Sequence, residues 1–301
     1  MKQKKKILVI IVTYNAMRWI DRCITSLLSS TLSNDIYIVD NGSNDGTRDY
    51  IKKTYPSILI YESVQNLGFG KANNIGLIYA LKSSYDYVYL LNQDAWVMAD
   101  TFEKLVNASL EYPDYGILSP MQLQANACHF DSNFGWNIAN CNNEEKLCER
   151  LYFRNKIGVY DAPRVMAAHW MLTKECILAV GGFSPSFPHY GEDDNYAERA
   201  IHKGFKIGVV LEAEAIHDRE QRTLTSKQII YLSYIRMIII YSGWNNNYLK
   251  ELILYFFRCI KHVVKYKSFY PIKCLFTFIS NIKEFRNNKV LSEFKTAFLE
   301  N

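Results

Sequence analysis

"YDYVYLLNQDA", residues 85–95, decides the fold. An apolar run through Val88, Leu90 and Leu91 gives way to two amides and a carboxylate, Asn92, Gln93 and Asp94, before apolar residues resume at Ala95 and Trp96. A strand covered on both faces reads as a continuous apolar run, whereas a half-solvated one alternates. This segment therefore predicts a buried strand that ends by pushing a single acid out of the sheet. Asp94 at that point either faces a ligand cleft or caps a following helix, a position that Asp suits well.

Working outward, the same pattern recurs. "KILVIIVTY" is a short apolar, β-branched strand, and "AMRWIDRCITSLLSS" carries Met17, Ile20, Ile24, Leu27 and Leu28 at helical spacing. "DIYIVDNGSNDGT" is a second strand running into turn residues, "TRDYIKKTY" a helix, "SILIYES" a third strand and "GKANNIGLIYALKSS" another helix. Strand–helix alternation with short connections predicts an α/β protein with a mostly parallel sheet flanked by helices. Ligands of such sheets bind at the carboxyl ends of the strands. There lie the polar clusters Thr13-Tyr14-Asn15, Asp40-Asn41-Gly42-Ser43 and Asn92-Gln93-Asp94.

Composition narrows the class. Hydrophobic residues make up 49% of the 301, enough for a sizeable core and against general disorder. The seven cysteines are odd in number and form no C-x-x-C, which points to a reduced, cytoplasmic setting. Cys128, His129, Cys141 and Cys148 match no common zinc spacing and read as ordinary core or loop residues. The run Ile7 to Val12 is short for a signal peptide and better suits a first strand. No stretch of ~18 uncharged apolar residues occurs, so no spanning helix is expected; "IIYLSYIRMIIIYSGW" (229–244) holds Arg236 at its centre and reads as a core helix.

The chemistry of the first turn excludes two common phosphate binders. A dinucleotide fold needs G-x-G-x-x-G directly after strand one, where this chain has "TYNAMRW", and no P-loop exists. A bound nucleoside diphosphate would need another positive charge, and a metal ion held by Asp94 could supply it.

"IVTYNAMRWIDRCITSLLSS", "IYIVDNGSNDGTRDYI", "NLGFGKANNIGL" and "LLNQDA", followed by "GGFSPSFPHYGEDDNYAERAIHKGFKIGVV" and "IHD", together resemble the family 2 glycosyltransferases of the GT-A fold. The resemblance runs in order from about residue 6 to 218. Asparagine in place of the first acid of D-x-D is similar to a subgroup rich in rhamnosyltransferase-like enzymes of bacterial surface polysaccharides. The resemblance implies an inverting, metal-dependent enzyme using a dTDP- or UDP-sugar and a saccharide or lipid-linked acceptor, with no nucleic acid partner. A sugar-1-phosphate nucleotidyltransferase would want a glycine-rich loop after strand one, and an inactive nucleotide-sugar-binding scaffold would not need both Asp94 and Asp193.

The resemblance also implies roles. Thr13, Tyr14 and Asn15 would flank base and ribose, or Thr13 would cap the helix that follows. Asp40 would accept from the pyrimidine or ribose, or organise an Asx turn. Gly68, Asn73, Asn74 and Asn92 would line the nucleotide site. Asp94 and His217 would hold Mn²⁺ or Mg²⁺, His217 otherwise being a satisfied loop histidine. Asp193 would be the general base, since an acceptor hydroxyl loses its proton as it attacks; the adjacent acids Glu192-Asp193-Asp194 also suit a helix N-terminus. Glu192 would contact the acceptor, and Trp170, in "AAHWML", would stack on its ring or belong to the core.

Three regions follow: a GT-A catalytic domain over 1–220, divided into a nucleotide-binding half (1–100) and an acceptor half (101–220), and a basic helical extension over 221–301. Residues 124–161 have no assigned role. The charge is split, −4 before residue 221 and +9 from there on, for a total of +5. "ELILYFFRCIKHVVKYK" (251–267) sets Arg258, Lys261 and Lys265 on one stripe of an apolar helix. The extension is expected either to meet the inner face of a membrane peripherally or to serve as a brace or a homodimer contact.

Overall fold

A computed structural model describes residues 5–141, 146–153, 157–219, 223–244 and 248–299. The lysine-rich residues 1–4, and residues 142–145 and 154–156 of the unassigned 124–161 stretch, lie outside the described residues. The nucleotide half runs β1 (Ile7–Thr13), α1 (Ile20–Leu28), β2 (Asp35–Asp40), α2 (Thr47–Thr54), β3 (Leu59–Glu62), α3 (Phe69–Lys82) and β4 (Tyr87–Asn92). The chain continues through β5 (Ala95–Val97), α4 (Thr101–Glu111), β6 (Tyr115–Leu123), α5 (Ser132–Ala139), α6 (Leu147–Tyr152), β7 (Val159–Asp161) and β8 (His169–Thr173). It then forms α7 (Lys174–Val180), α8 (Glu192–His202), β9 (Lys206–His217), α9 (Ser226–Ser242), α10 (Tyr248–Tyr266), α11 (Tyr270–Ser280) and α12 (Ile282–Leu291).

All strands join one sheet in the order β3-β2-β1-β4-β8-β6-β9-β5, with β7 also on β9. The parallel character expected from the sequence holds for β1 to β4 and recurs between β6 and β9. β8 inserts antiparallel between β4 and β6, and β5 and β7 pair antiparallel with β9, so the sheet as a whole is mixed. Its first strand shows why both faces are apolar. Val9 and Ile11 join the cluster under α1, α2 and α4, while Leu8 and Ile10 join the one under α3, α7 and α8. Each such side chain stabilises the fold by about 1.5–3 kcal/mol relative to exposure.

The 124–161 stretch builds a small core of its own, with Phe134, Ile138 and Leu147 packed on Met121 and Leu211. α9 is the core helix expected over 229–244: Tyr234, Ile235, Met237 and Ile238 are buried and Arg236 points outward. The helices and tail after residue 223 are knitted into the sheet and its flanking helices. Phe187 belongs to the cluster formed by α9, α10, α11 and α12, Leu299 belongs to the cluster under α8, and Gly182 N–H donates to Ala297 O at 2.7 Å. Gly181, at φ +83°, has room only for hydrogen where Ala297 O crosses it.

Candidate active site

The carboxyl ends of β1 and β2 are tied together by short polar bonds. Thr13 Oγ1 donates to Asp40 Oδ1 at 2.9 Å, and Ser43 reaches the same carboxylate through its N–H (3.0 Å) and hydroxyl (2.5 Å). Thr13 and Asp40 are buried, and Asp40 performs the turn-organising role that was its alternative reading. Tyr14 is exposed, and its backbone is clamped by the Gln93 side chain, which accepts from Tyr14 N at 2.7 Å and donates to Tyr14 O at 3.2 Å. Asn15 takes a left-handed conformation (φ +53°) and accepts from Asn44 N through Oδ1 at 2.9 Å. Asn41, which the sequence gave no role, accepts from Leu67 N at 2.7 Å and so sets the loop that carries Gly68. Gly68 has φ +82°, and a Cβ there would sit 2.5 Å from Pro188 O. The nucleotide half and the loop before α8 therefore meet at a glycine by necessity.

Three expected contacts fall elsewhere. Asn73 is buried and donates to Phe69 O within its own helix at 3.0 Å. Asn74 accepts from Phe183 N at 2.7 Å and donates to Phe183 O at 3.0 Å, so it fastens α3 to the turn after α7. Trp170 is a correction: it is 0% exposed, its indole N–H donates to Val165 O at 3.1 Å, and its ring packs near Tyr196. β8 is covered on both faces, and Trp170 packs into the cluster under α3, α7 and α8, where it offers no face to an acceptor ring.

At the other end of the sheet the pairing of β5 with β9 sets Ala95 opposite His217. His217 Nε2 thereby lies 3.5 Å from Asp94 Oδ1. Its Nδ1 lies 3.4 Å from Asp131 Oδ2, an ion-pair contact rather than a short hydrogen bond. His217 is 2% and Asp131 1% exposed. Asp131 caps α5, accepting from Asn133 N and Phe134 N at 3.0 and 2.9 Å, and Arg219 Nε stands 3.4 Å from its Oδ2. Burial opposes the charged form of His217, but the two carboxylates outweigh it and raise its pKa. Burial likewise opposes ionisation of Asp94, and the His217 contact overrides it and lowers the pKa. Beneath them His169 donates from Nε2 to Ile216 O (2.9 Å) and accepts from the Tyr89 hydroxyl at Nδ1 (2.8 Å). Burial, with the nearby His217, pushes its pKa down to about 3, so it is a neutral brace.

Among the described residues no three His, Cys, Asp or Glu side chains converge on one point, because Asp94 and Asp131 sit on opposite nitrogens of the His217 ring. The pair Asp94 and His217 nonetheless suits a divalent cation, an oxygen and an imidazole donor facing each other at strand ends.

The acids of α8 open its first turn after Gly191, which takes the left-handed φ of +82° and abuts Ile235 and Ile239 of α9. A short path links this turn to the Asp94 strand. Asn92 N–H donates to Ala168 O at 3.1 Å, Asp194 N–H donates to Asp193 Oδ1 at 2.9 Å, and the neighbouring Ala167 N–H favours the charged form of Asp193. Burial raises the pKa of Asp193 despite those donors. Arg219, missed in the sequence, contacts Asp131 and adds a smaller favourable charge to Asp94 and Asp193.

Glu192 is buried, with Oε2 lacking a hydrogen-bond partner among the described residues. Burial, then the neighbouring Asp193, pushes its pKa up to about 8. A carboxyl raised in the folded state contributes stability below its ordinary pKa, and that contribution is lost as pH rises through about 8. Glu192→Gln, neutral throughout, is therefore expected to leave Tm unchanged at pH 4 and to raise it by roughly 2–6 °C at pH 9. Melting curves across that range check this; a lower Tm at pH 9 would contradict it.

Residues 8–152 match the family model described as glycosyl transferase family 2. "Glycosyltransferase GlyA" of Streptococcus pneumoniae is 30% identical over 110 residues, which are 36% of this chain but only 15% of that protein. "N-acetylglucosaminyl-diphospho-decaprenol L-rhamnosyltransferase" of Mycobacterium tuberculosis is 24% identical over 236 residues, 71% of this chain and 76% of that one. Among solved structures, S. aureus TarS 1–349 in complex with UDP-GlcNAc superposes with a TM-score of 0.57 at 15% identity, over 96% of this chain and 89% of that one. GalNAc-T7 with UDP, GalNAc and Mn²⁺ superposes with a TM-score of 0.63 at 15% identity, over 95% and 55%. Residues 8–152 thus carry a match to glycosyl transferase family 2, and the chain as a whole has the GT-A architecture.

Proposed function

We propose that this protein transfers a sugar, with inversion, from a nucleoside-diphosphate sugar to a saccharide or lipid-linked saccharide of a surface polysaccharide. The observation that carries the reading is the 3.5 Å pairing of Asp94 with His217, at a strand end whose Asn92 N–H bonds Ala168 O, next to the Ala167 N–H that favours the charged form of Asp193. Asp193 itself is half-buried and is held by the Asp194 N–H at 2.9 Å. Exposed Tyr14 and the Asn15 loop would receive the nucleoside of a UDP- or dTDP-sugar; UDP-GlcNAc and UDP are ligands of the TarS and GalNAc-T7 structures. Asp94 and His217 would hold Mn²⁺ or Mg²⁺, whose charge would screen the diphosphate leaving group. Asp193 would accept the acceptor hydroxyl's proton, its burial making it a stronger base than a solvated aspartate. Glu192 beside it, protonated near neutrality, would donate to an acceptor oxygen. Arg219 would offer a further positive charge to the phosphates.

Asp131 completes this arrangement. A carboxylate on the far nitrogen of a metal-binding histidine fixes the ring's orientation, and its loss commonly weakens metal affinity by ~10–100-fold. A thermal-shift panel of nucleotide sugars, titrated with Mn²⁺, tests the reading. A donor should raise Tm only with the cation, because stabilisation follows the logarithm of ligand over Kd. Asp131→Asn should need roughly 10–100-fold more Mn²⁺ for the same shift. Absence of any cation-dependent shift across UDP- and dTDP-sugars would overturn the proposal.

A further inference from the structure

α10 carries two apolar faces, and only one is packed. Leu252, Tyr255, Cys259 and Tyr266 turn into the helical core against α9 and α11. On the opposite side Ile253, Phe256, Phe257, Ile260 and Val264 recur at helical spacing and stand in solvent, Phe257 at 61% and Val264 at 74% exposure. Phe269, just past the helix, is 81% exposed and continues the stripe. Lys250, Arg258, Lys261 and Lys265 run along one flank of that stripe, while Glu251 is the sole acid of the helix. A core helix has no use for a second apolar face, and large rimmed patches mark interaction surfaces.

We propose that this outward face of α10, with Phe269, docks on an anionic lipid surface. An apolar stripe flanked by Lys and Arg is the form of a helix lying in the membrane interface, apolar side chains at the acyl boundary and cations at the headgroups. No helix among the described residues is long and apolar enough to cross a membrane, so the contact is superficial. Charge selects the lipid over a second copy of this chain. An antiparallel two-fold pairing of the stripe would align the two basic flanks and a parallel one would leave both unneutralised, whereas anionic headgroups neutralise them. Placement of the helix beside α9, which abuts Gly191 at the start of the catalytic turn, brings a bilayer-held acceptor within the same half of the molecule. The docking itself rests on α10 alone and not on the sugar-transfer reading.

The full chain, with α10 intact, is mixed at low salt with vesicles of phosphatidylcholine alone or with 30–40% (roughly) phosphatidylglycerol, and sedimented. The wild type should partition onto the anionic vesicles at least about tenfold better than onto the neutral ones. Lys261→Glu with Lys265→Glu should lower that partition by roughly tenfold or more. Phe257→Gln with Val264→Gln should lower binding to both. All four positions are solvent-facing, so Tm and the Mn²⁺-dependent nucleotide shift should stay at wild-type values, which separates failure of docking from failure of the transfer reading. Wild-type protein that ignores anionic vesicles, or variants that bind as it does, would overturn the proposal. So would self-association in solution that Phe257→Gln with Val264→Gln abolishes, since the stripe would then serve a second copy.

Discussion

Asp193→Asn is expected to lower the transfer rate by ~10²–10⁴-fold while leaving nucleotide-sugar affinity within about threefold of wild type. The loss follows from the removal of the only function the amide cannot perform. Asparagine keeps the shape and can still accept from the Asp194 N–H, so the start of α8 should remain intact. It cannot take a proton. Donor binding would be spared because the proposed nucleotide and cation ligands stand at or just beyond the ends of β1, β4 and β9, whereas Asp193 lies in the first turn of α8. The wild-type rate should also carry an acid limb. Burial lifts Asp193 above the ordinary aspartate range, and the adjacent Asp194, raised by burial and then by Asp193, stands at about 6. Transfer should therefore fall as pH drops through values above ordinary carboxylate titration, and the limb should vanish in whatever residual activity Asp193→Asn retains. Turnover of the variant within threefold of wild type would remove Asp193 from the role of base.

Asp94→Ala should abolish cation-dependent nucleotide binding, by ~10²-fold or more in Kd measured by calorimetry with UDP and Mn²⁺. No glycine-rich loop follows β1 to receive a diphosphate, so the negative charge must be met at the strand ends. Removing Asp94 also deletes one of the two carboxylates that face His217, leaving the ring with Asp131 alone. Asp94→Asn should fall between, keeping an oxygen donor without the charge. UDP binding that is equal in chelator and in Mn²⁺ would return Asp94 to a structural role.

The fold was legible in the sequence because its signals are local. The continuous apolar run of β4 and the alternation of short strands with helices through residue 92 require only period and turn chemistry, and the structure keeps every one of those elements. Later strands were less legible. β8 enters the sheet antiparallel between β4 and β6, an arrangement set by which edge is left open after the first crossovers, and no periodicity encodes it. The acids of the candidate site stood out for the same local reason: Asp94 leaves a buried strand, and Asp193 sits in a cluster at a helix start.

Asp131 and Arg219 were not legible. Asp131 reads in the chain as one more helix cap in an unassigned insertion; the folding of that insertion onto Met121 and Leu211 brings it to His217, 86 residues further along. Trp170 shows the converse, a residue of the type that stacks on sugars, placed in the core because its strand lies between β4 and β6 and is covered on both faces. The exposed stripe of α10 has the same origin. Its apolar residues recur all round the helix in sequence, and only the packing of one face against α9 and α11 decides which of them are left for another surface. Sequence alone determined the strand–helix order and the acids at strand and helix ends, because those follow from nearest-neighbour chemistry. Tertiary structure alone decided which side chains meet and which stay exposed, because both depend on contacts between segments far apart in the chain.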